Sequence, residues 1–440
     1  MIELKEGGKM GESMWSPRYE TMEREEMRQL QLERLQASLQ YLFRRVPFYK
    51  ERLVEHNVGP GDLNELEDLS LFPFTTKEML LQGFPYSFFA VPMRAIARIH
   101  TSSGTTGRPI VVGYTKRDLK NWGDLMARLM VAAGVGEQDV VQISFNYGLF
   151  TGGFGFHHGA EQIGATIIPA SAMSLTRQIS TMQNFRATAL VSLPSHALRI
   201  AHHLEEADID PHTLSLRIGL FGAEPWSEST RQQIEEKLLI KATDNYGLAE
   251  MGGPGVSFEC SCCCGLHINE DHFYPEVVNP ETGEVLPEGE EGELVLTTLT
   301  KEAIPLLRYR TGDITALNYE PCPCGRTLVR MARVKGRVDD MFILHGVNIF
   351  PNQVEEILLS HPEVGPNYRI ELYREKGRDL CKVEVEAHLA SREEMERVED
   401  LLGGKIQDTI GVEMEVNLLP PGSIEPQGGK QKVVVDKRKI

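Results

Sequence analysis

The sequence predicts an α/β protein: a large N-terminal domain of mostly parallel sheets flanked by helices, then a small α+β C-terminal domain. Three observations predict this. The chain has 440 residues, which suits one large and one small domain at roughly 100–200 residues per domain. Between residues 95 and 300, Val- and Ile-rich runs alternate with helical-period stretches, and that rhythm closes as parallel sheet with helices on its faces. After Arg337 the rhythm changes. The expected division is 1–338 and 339–440, with 336–340 (GRVDD) as the linker.

The elements follow in order. Residues 19–45 carry Leu30, Leu32, Leu35 and Leu39 among charges, which predicts one amphipathic surface helix. Strands are expected at 140–145 (VVQISF), 165–170 (ATIIPA), 189–193 (ALVSL) and 217–221 (RIGLF). Helices are expected at 116–135, 174–185, 195–207 and 227–238. Residues 279–293 are turn-rich and acidic, which predicts a hairpin feeding a strand at 293–298. The small domain is expected to order as helix 351–360, strand 369–373, strand 381–388, helix 391–410 and strand 414–418.

Lys and Arg total 46 against 63 Asp and Glu, a formal net charge of −17. An acidic surface argues against non-specific nucleic-acid binding, so no nucleic-acid partner is expected. No apolar run approaches the roughly 18 residues that span a bilayer, so no membrane partner is expected. Residues 1–10 hold charges and glycines rather than an apolar core, so no secretory leader is expected and a cytoplasmic location is. Six of the seven cysteines fall in two clusters, Cys260, Cys262, Cys263, Cys264 and Cys322, Cys324. Tight clusters in a reducing compartment favour a metal over disulfides.

Five motifs carry chemistry. Residues 101–109 (TSSGTTGRP) pack two glycines and five hydroxyls into a loop able to wrap a polyphosphate, without the spacing of the common phosphate loop. Residues 244–250 (DNYGLAE) end on Glu250, placed to present a carboxylate to a phosphate-bound Mg²⁺. Residues 308–313 (RYRTGD) put Asp313 after a tight turn, where a carboxylate can take the hydroxyls of a ribose. The linker 336–340 is the fourth, and Gly428-Gly429-Lys430, a lysine on a glycine loop, is the fifth.

This ordered set resembles the adenylate-forming enzymes: acyl- and aryl-CoA synthetases, adenylation domains and luciferases. More narrowly, 145–153 (FNYGLFTGG), 265–277 (GLHINEDHFYPEV), 296–313 and 336–351, with the start 15–35, resemble the phenylacetate-CoA ligases over essentially the whole chain. The resemblance implies ATP, Mg²⁺ and CoA as cosubstrates and cofactor, and a two-step reaction. The acid and ATP give an acyl-adenylate and pyrophosphate; the CoA thiol then displaces AMP. Phenylacetate is the expected acid, and a homodimer is allowed.

The implied roles run residue by residue. Ser102, Ser103, Gly104, Thr105, Thr106 and Gly107 would hold the β- and γ-phosphates, and Glu250 the Mg²⁺. Gly222, Ala223, Glu224 and Pro225, with Asn245, Tyr246 and Gly247, would form the adenine slot. Asp313 would fix the ribose, Arg337 would reach the ribose or α-phosphate, and Lys430 would stabilise the pentavalent phosphorus and the attacking carboxylate. The small domain would rotate about Asp339 between half-reactions, withdrawing Lys430. Two positions depart from the family: Ile110 stands where a Lys is common, and Val433 where an Arg is frequent.

Phe145, Tyr147, Phe150 and Pro254, set among several glycines, suggest a flat apolar slot for an aromatic ring. Cys322-Pro-Cys324 resembles half of a zinc knuckle, and Cys260 with His267 would complete a Cys₃His site. The resemblance implies structural zinc. Cys262, Cys263 and Cys264 compete for the first position, and free thiols or an iron–sulfur or redox role are the other readings. His157, His158 and His196 read as packed or solvated, and His272 has no role in the sequence reading. Two alternatives stand beside the ligase: a deazaflavin-cofactor synthetase that moves AMP to a hydroxyl, and a non-catalytic nucleotide-binding protein.

Overall fold

The computed structural model describes residues 14–102, 109–171, 173–361, 363–375, 378–389, 391–424 and 433–438. The chain opens with a helical turn α1 (Pro17–Glu20), then α2 (Arg24–Arg45), α3 (Pro47–Glu55) and α4 (Lys77–Gln82). The single helix expected over 19–45 is thus two, parted at residues 21–23. Its apolar stripe does reach the core: Met27, Leu35, Leu39 and Leu42 are buried.

A hairpin β1 (Arg98–Thr101) and β2 (Val111–Tyr114) precedes α5 (Lys116–Ala132). The helix begins where Thr115 accepts from the Asp118 backbone and Asp118 answers, a reciprocal cap. Then come β3 (Val140–Ile143), α6 (Gly152–Ile163), β4 (Thr166–Ile168), α7 (Leu175–Phe185), β5 (Ala189–Ser192), α8 (Pro194–Glu206), β6 (Ile218–Gly222), α9 (Glu228–Leu238) and β7 (Lys241–Leu248). The four strands and four helices expected in this stretch all form within a few residues of their predicted bounds. Helix α6 was not foreseen.

The chain then turns antiparallel through β8 (Gly253–Glu259), β9 (Leu266–Ile268), β10 (Phe273–Val278), β11 (Gly292–Thr298), β12 (Tyr309–Thr315), β13 (Leu317–Asn318), β14 (Arg330–Met331) and β15 (Gly336–Arg337). One nine-stranded sheet has the order β13-β14-β9-β8-β7-β6-β5-β3-β4. Its β4-to-β7 half is parallel, as expected. Beyond β7 every pairing is antiparallel. A second, antiparallel sheet runs β10-β11-β12-β15, and the hairpin expected at 279–293 joins its first two strands.

Past the linker, β16 (Phe342–Leu344) and β17 (Val347–Ile349) form a hairpin before α10 (Pro351–Leu358). Then follow β18 (Val364–Glu375), β19 (Arg378–Ala387), α11 (Arg392–Ile410), β20 (Glu415–Leu419) and β21 (Val434–Asp436), in the sheet order β20-β19-β18-β21. This part has its own core, with Leu344, Ile370, Val383 and Leu402 fully buried in one cluster. Among the described residues no helix is long and apolar enough to cross a membrane.

Candidate active site

The hairpin β1–β2 brings the ends of the Thr/Ser/Gly loop together. Ser102 donates its N–H to the Ile110 carbonyl at 2.9 Å, and its Oγ accepts from the Ile110 N–H at 3.0 Å. Ser103, Gly104, Thr105, Thr106, Gly107 and Lys430 lie outside the described residues. Thr101 N–H donates to the Leu149 carbonyl at 2.9 Å, so the 145–150 segment runs beside this hairpin.

The carboxyl ends of β6 and β7 meet next. Gly222 pairs with Asn245 in parallel register, and Asn245 Nδ2 donates to the Phe221 carbonyl. A side chain at Gly222 would strike the Asn245 backbone, so only glycine lets the two strand ends close. Ala223 follows in the left-handed region, at φ 69°. Glu224 turns back to accept from the Ser195 N–H at 2.7 Å, at the start of α8. Pro254 on β8 stands opposite Gly247 of β7, which links this slot to the aromatic one.

Tyr246 and Arg337 converge on one carboxylate. Tyr246 OH donates to Asp313 Oδ2 at 2.6 Å, and Arg337 Nη1 donates to Asp313 Oδ1 at 2.8 Å. Asp313 is 7% exposed and sits opposite Arg337 in the β12–β15 register. Burial, then the charge of Asp313, pushes the Tyr246 phenol well above 10, so it remains a donor. Asp339, the expected hinge, is exposed and takes only a 3.4 Å contact from Arg337 Nη2. Glu250 occupies a short turn after β7, buried, beside the Tyr309 phenol, which burial and then the Glu250 charge push well above 10.

Phe145 and Tyr147 each meet an aromatic ring of α6. Phe145 stacks on Phe156 at 6.0 Å and 14° between planes, and Tyr147 meets Phe154 edge-on at 5.2 Å. The Pro254 carbonyl accepts from Trp122 Nε1 at 2.9 Å. Phe150 is the outlier, 44% exposed. The sequence reading missed Phe154, Phe156 and Trp122, although the first two lie in the glycine-spaced run GGFGFHHG that follows the named motif. A Cβ at Gly155 would come within 2.8 Å of the Trp122 ring and 3.0 Å of Pro254, so α6 carries glycine there to seat close against both.

Behind the loop that carries Glu250 lies a cavity lined by Lys301, His272, Asp118, Trp122 and Pro254. Lys301 Nζ stands 4.2 Å from the Tyr114 ring centre, and burial brings its ammonium down to about 8. His272 Nδ1 lies 2.6 Å from Thr300 Oγ1, and its Nε2 lies 3.4 Å from Asp271. Neither group had a role in the sequence reading.

The cysteine clusters resolve into one set. Donor atoms of Cys260, His267, Cys322 and Cys324 all lie within 4.8 Å of one another, and all four residues are buried. Cys260 and Cys322 sulfurs are 3.7 Å apart, and Cys324 Sγ is 3.5 Å from His267 Nε2. The other ring nitrogen, Nδ1, faces the Leu328 carbonyl at 3.4 Å, which puts the ring proton on Nδ1 and leaves the Nε2 lone pair facing the sulfurs. Cys263 instead faces Arg231, and Cys264 is exposed. Three soft sulfurs and one imidazole around a point are the donor set of tetrahedral zinc.

Residues 44–299 match the family of AMP-binding enzymes, and residues 346–438 match the AMP-binding enzyme C-terminal domain. The chain is 47% identical to the phenylacetate-coenzyme A ligase of Thermus thermophilus, over 97% of this chain and 100% of the relative. It is 45% identical to that of Aromatoleum evansii, over 95% and 96%. Among solved structures, 2-hydroxyisobutyryl-CoA ligase with 2-HIB-AMP in its postadenylation state superposes with a TM-score of 0.89 at 29% identity, covering 96% of this chain and 92% of that one. The same ligase with 2-HIB-AMP and CoA, in its thioesterification state, gives 0.72 at 30% identity over the same shares.

Burial depresses His272 from its usual 6.5 to about 4. Above that window both folded and unfolded chains hold a neutral ring. Within it the unfolded chain binds a proton that the folded chain refuses, so stability falls as pH falls. His272→Gln should lose that slope. Thermal midpoints of the two proteins at about pH 7 and about pH 4.5 check it: the wild type should lose more on acidification, and parallel losses would count against the assignment.

Proposed function

The chain belongs to the AMP-binding enzymes, and from that premise we propose that it joins phenylacetate to CoA at the expense of ATP, through an acyl-adenylate formed at the site above. It is an aryl-acid CoA ligase of the AMP-forming type. The observation that carries the acid is the near-full-length likeness to phenylacetate-CoA ligases, joined to the cluster of Phe145, Tyr147, Phe154 and Phe156. The deazaflavin and non-catalytic readings are not favoured, because four phenylacetate-CoA ligases match at 43–47% identity over nearly the whole chain.

A carboxylate reacts poorly with a thiol because its oxygen is a bad leaving group. One carboxylate oxygen attacks the α-phosphorus of ATP and pyrophosphate departs. The CoA sulfur then bonds to the acyl carbon, and AMP leaves with the bond electrons. Asp313 accepts the ribose hydroxyls beside the hydrogen bonds from Tyr246 and Arg337, as an ionised carboxylate has about four lone-pair sites. Arg337 reaches the ribose or α-phosphate. Gly222, Ala223, Glu224 and Pro225, with Asn245, Tyr246 and Gly247, frame the adenine. Ser102 through Gly107 hold the β- and γ-phosphates.

Glu250 would hold Mg²⁺, a hard cation suited to its oxygens, which offsets phosphate charge when bound. Cys260, His267, Cys322 and Cys324 would hold structural zinc; four protein ligands leave no open coordination position for chemistry. Lys430 stabilises charge at the pentavalent phosphorus. The boundary lies between residues 338 and 339, and the part beyond it turns about Asp339 for the second half-reaction. The closer likeness to the postadenylation state than to the thioesterification state supports reading the present arrangement as the adenylation one. A reaction that consumes ATP and CoA suits the cytoplasm, where thiols stay reduced.

Three measurements test this. With ATP, Mg²⁺ and a panel of aryl acids, AMP release should require both phenylacetate and CoA; pyrophosphate release with no response to CoA would point to another acceptor. Lys430→Ala should lose adenylation by orders of magnitude while still making thioester from supplied phenylacetyl-adenylate, whereas equal loss of both steps would defeat the rotation. Protein purified without strong chelator should hold about one zinc per chain. Cys322→Ser should lose most of that zinc, and a metal-free wild type would refute the site.

A further inference from the structure

A chain of polar contacts, three hydrogen bonds and one Glu–His pair, runs from the hairpin that carries the Thr/Ser/Gly loop to the aromatic slot. Arg98 on β1 places Nη1 2.7 Å from His158 Nε2. His158 Nδ1 lies 3.4 Å from Glu161 Oε2, and Glu161 Oε1 lies 3.5 Å from His157 Nε2. His157 Nδ1 lies 3.2 Å from the Tyr147 hydroxyl. The first links are directed by the guanidinium. A guanidinium has donors only, so His158 Nε2 must accept and its proton sits on Nδ1, aimed at Glu161. The same carboxylate faces His157 Nε2 at 3.5 Å and favours the ring proton on that nitrogen. That leaves the lone pair of His157 on Nδ1, so the Tyr147 hydroxyl donates to it.

With its proton committed, the phenol can offer only its oxygen lone pairs to anything else in the slot. Burial keeps the phenol protonated, pushed up to about 12. The ring cannot swing away, because it meets the Phe154 ring edge-on and Gly153 closely. Phe154 is itself covered by the Arg98 guanidinium, 4.8 Å from its centre.

We propose that His157 is a positioning residue which holds the Tyr147 oxygen as a fixed acceptor, so that the slot recognises aryl acids carrying a hydroxyl on the ring. The inference rests on the aryl-acid reading of this slot given above. A ring hydroxyl donates to Tyr147 oxygen; a methyl group of similar size has nothing to donate.

The test compares kcat and KM for phenylacetate, 3- and 4-hydroxyphenylacetate, and the matching methyl acids. Wild type should favour hydroxyl over methyl at one ring position by roughly three- to tenfold in kcat/KM, carried by KM, as suits one neutral hydrogen bond. Tyr147→Phe and His157→Ala should bring that ratio near unity. His157→Asn should restore most of it, since the Asn Oδ1 stands near the place of Nδ1. A wild-type ratio near unity, or an undiminished ratio in His157→Ala, overturns the inference while leaving the ligase intact. If no aryl acid is turned over by wild type, the proposed function itself fails, and this inference with it.

Discussion

One carboxylate ties the large part of the molecule to the start of its linker. Asp313 lies on the second sheet, receives a hydrogen bond from Tyr246 on the first, and pairs with Arg337 at the linker's first strand. Three separate stretches of chain are thereby indexed to a point smaller than a nucleotide. A buried carboxylate left without its partners costs about 3–5 kcal/mol, so the three cannot drift independently. Any ligand that shares Asp313 inherits that alignment. The second sheet repeats the device nearby, where Glu276 pairs with the buried Arg308, and Glu293 with Arg310.

The parallel half of the fold was legible because it is covered on both faces. Strands so covered read as unbroken apolar runs such as ALVS in β5, and turn-rich breaks frame them. The antiparallel half was harder. β8 begins GPG and β9 has three residues, so neither shows a period. Helix α6 failed for the opposite reason. Its four glycines read as loop, yet a Cβ at Gly159 would come within 2.7 Å of Met126 on α5. Glycine there permits close approach of two helices, which a one-dimensional pattern does not reveal. β21 was hidden because three residues pair with β18 across more than sixty positions of sequence.

The same division holds at the site. The residues proposed to touch substrate are conspicuous in the sequence, as a carboxylate after a tight turn or a lysine after two glycines. Residues that hold those groups are not. Tyr309 beside Glu250, Trp122 under Pro254 and Lys301 behind Gly252 are ordinary residues made important by contacts distant in sequence. The cysteines show both cases at once. Spacing singled out Cys322 and Cys324, but only the fold separates Cys260 from its three neighbours, because β8 buries Cys260 and the turn after it lifts Cys264 into solvent.

The distribution of strong contacts bears on the proposed rotation. On the large part, the approach to the linker is heavily fixed: Arg326 and Glu20 form a fully buried pair at 2.7 Å, the Cys/His cluster lies beside it, and Arg337 is locked to Asp313. Among the described residues, side chains of α9 reach the backbone of the small part. Ser229 donates to the Leu359 carbonyl at 3.0 Å, and Gln233 to the same atom at 3.3 Å. Partly buried neutral hydrogen bonds of this kind contribute about 1 kcal/mol each. The small part keeps its own apolar core, so parting those contacts exposes little of it. If the small part turns about Asp339 as proposed, its own apolar core lets it move as one unit, and the Asp313–Arg337 pair is the fixed side it turns against.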